Sequence, residues 1–569
     1  MILSIIYSLL SLLAVLIYSK IIFKFESYNF LLILLFLFLC YFFYKVNTNC
    51  DKRTKIYSII LSILLSLMLS IGSIVSSYIY SPAVNIFTLK NIAYSIIATT
   101  GFSLFFYRLF IILFSKAKNI TLFEKHDKMK LRYFFIICGI MFVIYFLYFI
   151  RYYPAIMTPD SYYVLHYANN FIMSDFHPFG HTWFIGAFFH LGKLLFGNMN
   201  MAVAFSIVIQ MICIVLMFSF TIKYLYDKGL NKKWTIALTL IYSLNPLFAH
   251  YSITLWRDVM FGGAFVTLLI TLYEFISCKN IKAKYVILFV INTLIILFFR
   301  NNGIYIFLFT APFIIFILKG KRKMMSILCF SILLTYFIIK GPVFNYFKIE
   351  KTTSVEAFSI PLQQIARVVS SGREIPEKDL KYLEKLFDYD KIEFSYNPAI
   401  SDPIKNLANK SVLNNKKDFF KTYLSLFIKY PNVYFEAYCL QTLGYWYPDV
   451  IYWATAGESS SIFPEEKIYS VSITPLWYNK IIDTTVSRKI PLNNIVWSVG
   501  LQFIVLLCST FLMFYLKNNK YILCFIPLYG LWISIMLATP VFAELRYVFG
   551  LFVCSPIMLV IAIGNFRKE

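Results

Sequence analysis

Charge is scarce in this sequence. Only 14% of its 569 residues are Asp, Glu, Lys or Arg, while 60% are hydrophobic and 20% aromatic. A water-soluble fold with that balance would expose large apolar patches and precipitate, so a soluble protein is excluded. Acids are scarcer than bases: 28 Asp and Glu against 53 Lys and Arg, a formal charge of +25. The ten cysteines include no CxxC pair and lie mostly in apolar runs, which argues against a disulfide framework. The histidines show neither HExxH nor another tight metal-ligand spacing, so no metal and no cofactor is expected. No short-period repeat is present either.

What fills the chain is apolar runs long enough to cross a bilayer, which takes about 20 residues. They fall at 2–19, 28–44, 56–79, 91–114, 133–150, 200–222, 234–250, 259–277, 284–299, 303–318, 325–340, 495–516, 521–538 and 547–565. The expected fold is therefore mainly α, a polytopic membrane protein with roughly fourteen transmembrane helices. The opening MILSIIYSLLSLLAVLIYSK lacks a basic n-region and a small-residue cleavage site, and reads as a retained first helix.

The excess of Lys and Arg collects in short loops such as KVNTNCDKRTK, SKAKNITLFEKHDKMKLR, KYLYDKGLNKKW and KGKRK. Basic loops beside apolar runs mark the cytoplasmic side, so the charge sets topology and touches lipid headgroups. No nucleic-acid partner is expected. With the N-terminus inside, these loops and the final FRKE all fall on the cytoplasmic face. Lys20 and Lys24 are the exception, which leaves the first hairpin the weakest part of the scheme.

Parity then divides the chain into three parts. Residues 1–340 form a transmembrane module whose first large outer loop is 151–199. Residues 341–494 form an extracytoplasmic domain of mixed character, and 495–569 return as transmembrane helices. The start of that domain, FSIPLQQIARVV, is amphipathic and is expected to rest on the membrane surface.

The outer loop reads TPDSYYVLHYANNFIMSDFHPFGHTW. Thr158 suits an N-cap and Pro159 the first helical position, which puts Asp160 and Ser161 in a first turn. As a plain first-turn carboxylate Asp160 is worth under ~1 kcal/mol. A helix unbroken from Asp160 to His177 would hold them roughly 20–25 Å apart, so a shared site needs a bend near Ala168-Asn169-Asn170. His166, His181 and His190 read as structural. Further charged groups stand at outer helix ends: Arg257 and Asp258 in TLWRD, Arg300 with Asn301 and Asn302 in FFRNNG, Glu544 and Arg546 in FAELRY. Charge at membrane depth is expensive and tends to be functional. Arg–acid pairs that staple helix ends are the plain alternative, but three arginines with few acids suit a phosphate, whose oxygens match guanidinium forks.

A long first loop with an acid at its start, about fifteen helical residues, then xHP and a membrane-hugging helix resembles the GT-C superfamily of membrane glycosyltransferases. TPDS, DFHP, TLWRD, RNNG, IPLQQIARVV and ELRY are more closely similar to an uncharacterised family of bacterial GT-C-like membrane proteins, from about residue 130 onward. The resemblance implies a polyprenyl-phosphate sugar donor, inverting transfer to a cell-envelope glycan or lipid acceptor, and a site facing outward from the bacterial cell membrane. It implies Asp160 as the catalytic carboxylate, though Asp160-Ser161 stands where many members carry two acids. It also maps the xHP corner onto Asp175, His177 and Pro178. Arg257, Arg300 and Arg546 are then expected to hold the donor phosphate, with Asp175, His177, Asp258, Asn301 and Glu544 in support. Trp446 and Trp453 are expected to stack on the acceptor. A flippase or transporter of lipid-linked glycans would instead carry charge in mid-helix, where Arg108 stands nearly alone. A polymerase or ligase would share most of the chemistry, and a non-catalytic scaffold would need no arginine cluster.

Overall fold

Away from water a backbone must satisfy its own polar groups within one segment, and the helix is the local way to do it. The computed structural model describes residues 2–22, 29–46, 48–81, 85–172, 174–350, 354–450, 452, 468–469, 471–487 and 493–564. Among the described residues the elements are helices, and extended pairing is limited to isolated bridges. In chain order they are α1 (Ile2–Ile22), α2 (Asn29–Lys45), α3 (Lys52–Ser77), α4 (Leu89–Ala117), α5 (Leu131–Arg151), α6 (Pro159–Asn169) and α7 (Phe179–Phe196). Then come α8 (Met199–Asp227), α9 (Lys232–Leu244), α10 (Pro246–Ser252), α11 (Arg257–Ser277), α12 (Ala283–Phe299), α13 (Gly303–Ile317) and α14 (Arg322–Ile338).

The expected crossings divide into classes. Eight helical stretches are long and apolar enough to cross a membrane, among them α3, α4, α5, α8, α11 and the last, Leu545–Ile563. Five more are apolar but shorter, including α12 and α13. The run 234–250 is not one helix. Asn245 turns extended (φ −68°, ψ 114°) before Pro246, and its side chain accepts from Leu247 N at 3.0 Å, so α9 stops and α10 starts.

At the centre lies α11, whose residues from Asp258 to Phe275 are all buried. It packs against α8, α12 and the helix Phe549–Ile563 within one apolar core. Gly303 permits the tight RNNG turn between α12 and α13, because a Cβ there would meet the Ile296 carbonyl oxygen at 1.8 Å. That turn sets Arg300 beside the start of α11.

Residues 355–434 form a separate, helical core. Its middle is the helix Ser359–Ser370, which corrects the expectation of a surface-lying amphipathic segment. Ile360, Leu362, Ile365 and Val368 are buried, and so is the polar stripe. Gln363 donates to Asn397 O at 2.8 Å, Gln364 to Tyr434 O at 3.1 Å, and Arg367 to Glu436 at 2.9 Å. Its polar side meets protein partners, so neither face is left for lipid. Other described parts of 341–494 lie outside this core: Tyr445, Ile468 and Ile482 pack into the main bundle.

Candidate functional site

The site is built from helix ends. Thr158 caps α6, and Pro159 occupies its first turn. Ser161 Oγ accepts from Thr158 N at 2.9 Å and donates to Leu255 O at 2.9 Å. The residue after Asp160 is therefore a buried cap and tether, which is why a second acid is not found there. Trp256 Nε1 donates to Thr158 Oγ1 at 2.7 Å and ties the same turn to the start of α11. Asp160 is left half-buried at the rim of that junction.

Helix α6 stops at Asn169, and Phe171 adopts a left-handed conformation (φ 53°). Ile172 N then bonds to Tyr167 O at 2.9 Å, the 6→1 bond of a Schellman ending. The chain reverses, and His177 comes back to stack on Tyr163 at 5.3 Å between ring centroids. Only an unbroken helix would hold Asp160 and His177 far apart, and α6 ends at Asn169. The reversal brings them within electrostatic reach. His190 supports this corner, stacking on Phe171 at 4.6 Å with Nε2 2.8 Å from Ala168 O.

Three arginines from different helix ends meet here. Arg546 forms an ion pair with Asp160, and its Nε lies 3.3 Å from Glu544 Oε1. Arg300 forms an ion pair with Asp258. Both guanidinium groups lie over the Tyr547 ring, Arg300 at 4.7 Å and Arg546 at 5.3 Å. Arg546 also lies over Trp256 at 5.2 Å. Arg257 Nη1 lies 3.4 Å from His177 Nδ1, and among the described residues no ion pair engages it. Because a guanidinium only donates, Nδ1 accepts and the ring proton sits on Nε2, a buried atom with no partner. Asp258 Oδ2 is buried and unpartnered as well.

Two expectations need correction. The arginines are not in excess of acids throughout, since Arg300 and Arg546 each hold a carboxylate from another helix. The cost of losing Asp160 is also larger than a helix-dipole term, because the loss leaves Arg546 without its nearest partner.

Electrostatics separate the three titrating groups. Burial pushes Asp160 up, but Arg546 and then Arg257 overcome it and hold the carboxyl at about 2. Burial pushes Glu544 up to about 7, opposed by Arg546 and helped by Asp258 and Asp160. Burial and Arg257 depress His177 to about 4, so its ring is neutral at physiological pH.

Asp175 and Asn301 meet partners other than the three arginines. Asp175 is clasped by Lys340 Nζ at 2.5 and 2.6 Å, and Asn301 Nδ2 donates to Asp175 O at 3.2 Å. Lys340 fastens the loop to the helical segment that follows α14, and Asn301 fastens it to the turn between α12 and α13. Trp446 is partly buried, with Nε1 3.3 Å from Thr442 Oγ1 and its ring beside Tyr447. Those contacts are packing, and none is with the arginines. Trp453 lies outside the described residues.

Sequence reasoning missed Tyr547, Trp256 and Tyr445. The first two adjoin an arginine in ELRY and TLWRD, a signal that was available. Tyr445 had none: its hydroxyl accepts from Glu544 N at 3.1 Å and donates to Val541 O at 2.8 Å, so it positions Glu544 from about a hundred residues away. Among the described residues no group of His, Cys, Asp and Glu is placed to hold a metal.

No curated protein and no solved structure matches the chain. A family model described as a family of unknown function, DUF6020, matches residues 148–569. The match begins near the end of α5 and takes in Asp160, His177 and all three arginines, and the chain belongs to the DUF6020 family.

Proposed function

We propose that the chain is a GT-C-type glycosyltransferase. It takes a sugar from a polyprenyl-phosphate donor and passes it to a cell-envelope glycan or lipid on the outer face of a bacterial membrane. The observation that carries this reading is the meeting of Arg257, Arg300 and Arg546 around Tyr547, beside Asp160, with Arg257 free of any ion pair among the described residues. The acceptor hydroxyl attacks the anomeric carbon, the bond from that carbon to the donor phosphate breaks, and polyprenyl phosphate leaves. Arginine forks take up the charge that develops on the departing oxygens.

The hydroxyl proton goes to a carboxylate. Of the two on Arg546, Glu544 is fully buried and Asp160 is half-exposed, so Asp160 is the one an acceptor reaches. Held by Arg546 at about 2, Asp160 is a weak base. A donor phosphate that draws Arg546 toward itself releases Asp160 and restores its basicity, so base and donor are coupled. The outer-face assignment rests on the basic loops, and a cysteine at the exposed position of Asn170 should label from outside intact cells.

Asp160→Asn is the direct test. Sugar incorporation by membranes carrying the variant should fall about 10²–10⁴-fold. Losing half of a partly exposed ion pair should cost on the order of 1–3 kcal/mol of stability, so abundance is measured alongside. Transfer within twofold of the parent at equal abundance would remove Asp160 from the mechanism.

A further inference from the structure

The helix Leu476–Val486 is built the wrong way round for water. Three of its polar side chains, Asn479, Asp483 and Thr485, engage the protein. Asp483 accepts from Arg151 Nε at 3.1 Å, Arg151 Nη2 at 2.9 Å and Tyr152 OH at 2.8 Å. Thr485 Oγ1 lies 2.9 Å from Tyr148 OH, and Asn479 is buried against Ser472 and Thr474. Three of its apolar side chains face out, Leu476 at 86% exposed, Trp477 65% and Ile481 56%, while Ile482 packs inward. Val471 and Ile473, just before it, extend the same exposed row. An amphipathic helix on a water-facing surface puts that face inward.

Its place in the fold supplies the partner. Tyr478 OH donates to Leu147 O at 2.7 Å, one turn before α5 ends at Arg151. Helix α5 is long and apolar enough to cross a membrane, and only 22% of its apolar window is buried within the protein. Phe135, Ile136, Ile140, Val143 and Leu147 line that uncovered flank, the surface a spanning helix offers to lipid tails. The outward face of Leu476–Val486 continues this wall at the level where α5 ends. Exposed Trp and Tyr rings are favoured at that depth, and Lys480, also exposed, has the stem length to reach headgroups.

We propose that Leu476–Val486 is an interfacial membrane helix, with Leu476, Trp477 and Ile481 immersed at the boundary between headgroups and acyl chains. Arg151 and Asp483 fix its depth by locking it to the end of α5. The proposal requires a membrane around α5 and is independent of sugar transfer.

The test uses the full chain in phosphatidylcholine–phosphatidylglycerol vesicles, with its cysteines replaced and one returned by Trp477→Cys, Ile481→Cys or Ser411→Cys. Each is labelled with an environment-sensitive fluorophore. Lipids carrying a shallow nitroxide should quench positions 477 and 481 several-fold more than position 411, which is exposed in the separate helical core. Quenching no greater than at 411 overturns the proposal. So does protection from both lipid and aqueous quenchers, which would mean that a protein covers the face. If the cysteine-replaced chain does not fold, benzoylphenylalanine placed at 477 in the otherwise native chain reads the same question. A lipid adduct on irradiation supports an interfacial helix, and a protein adduct or no lipid adduct rejects it.

Discussion

Arg367 is buried and Arg546 nearly so, and each meets a carboxylate distant in sequence, yet their surroundings differ. Glu436 is saturated: one oxygen takes Arg367 at 2.9 Å, and the other takes Ile86 N at 2.8 Å and Phe87 N at 3.4 Å. The separate helical core is thereby locked to the entry of α4. Around Tyr547 the account is not closed. Arg257 has no ion pair among the described residues, Asp258 Oδ2 and His177 Nε2 are buried without partners, and Glu544 sits near neutrality. A cluster that only fastened helices would resemble the first arrangement. The second keeps binding capacity in hand, as a site that awaits an anion must.

Glu436→Ala should have the largest effect on stability. It strands Arg367 as an uncompensated buried charge and should cost about 3–5 kcal/mol. Thermal unfolding and limited proteolysis within 355–434 would register it. A loss under about 1 kcal/mol would mean that the pair is not a closed lock.

A smaller effect comes from pH. Glu544 is held at about 7 in the fold and titrates near 4.5 when unfolded, so the native state binds more protons between those values. Its contribution falls as pH rises through that window, by an amount on the order of 3 kcal/mol. His177 works in the opposite direction. Held at about 4 against an ordinary value of 6.5, it contributes stability that grows as pH rises through that interval. The two slopes oppose one another over most of their range. Denaturation profiles of Glu544→Gln should therefore rise with pH below neutrality, and those of His177→Gln should fall. Two profiles parallel to the parent would show that these groups do not titrate as their surroundings dictate.

The smallest effect on stability, under about 1 kcal/mol, is expected of Arg257→Gln, because Arg257 is half-buried and no ion pair among the described residues depends on it. Its effect on ligand binding should be large. Polyprenyl phosphate should raise the Tm of the parent chain and leave that of the variant unmoved. An equal shift in both would return Arg257 to a structural role and erase the contrast with Arg367.

What the sequence determined by itself is what local physics controls. Apolar runs became helices because each closes its own hydrogen bonds, and Thr158-Pro159 started α6 because capping is decided within one turn. The placing of Arg257, Arg300, Arg546 and Asp160 at helix ends was legible for the same reason. Which of them would pair was not. Arg546 meets Asp160 across 386 residues and Arg300 meets Asp258 across 42, and nothing in either neighbourhood specifies the match. The amphipathic patterns were equally undecided. In Ser359–Ser370 the polar stripe found buried partners, and in Leu476–Val486 the apolar stripe was turned outward by Asp483 and Arg151. A helix's own sequence states that it has two faces, but the choice between core, water and lipid belongs to whatever packs beside it. Only the tertiary structure makes that choice, because it alone brings side chains remote in sequence within hydrogen-bond reach.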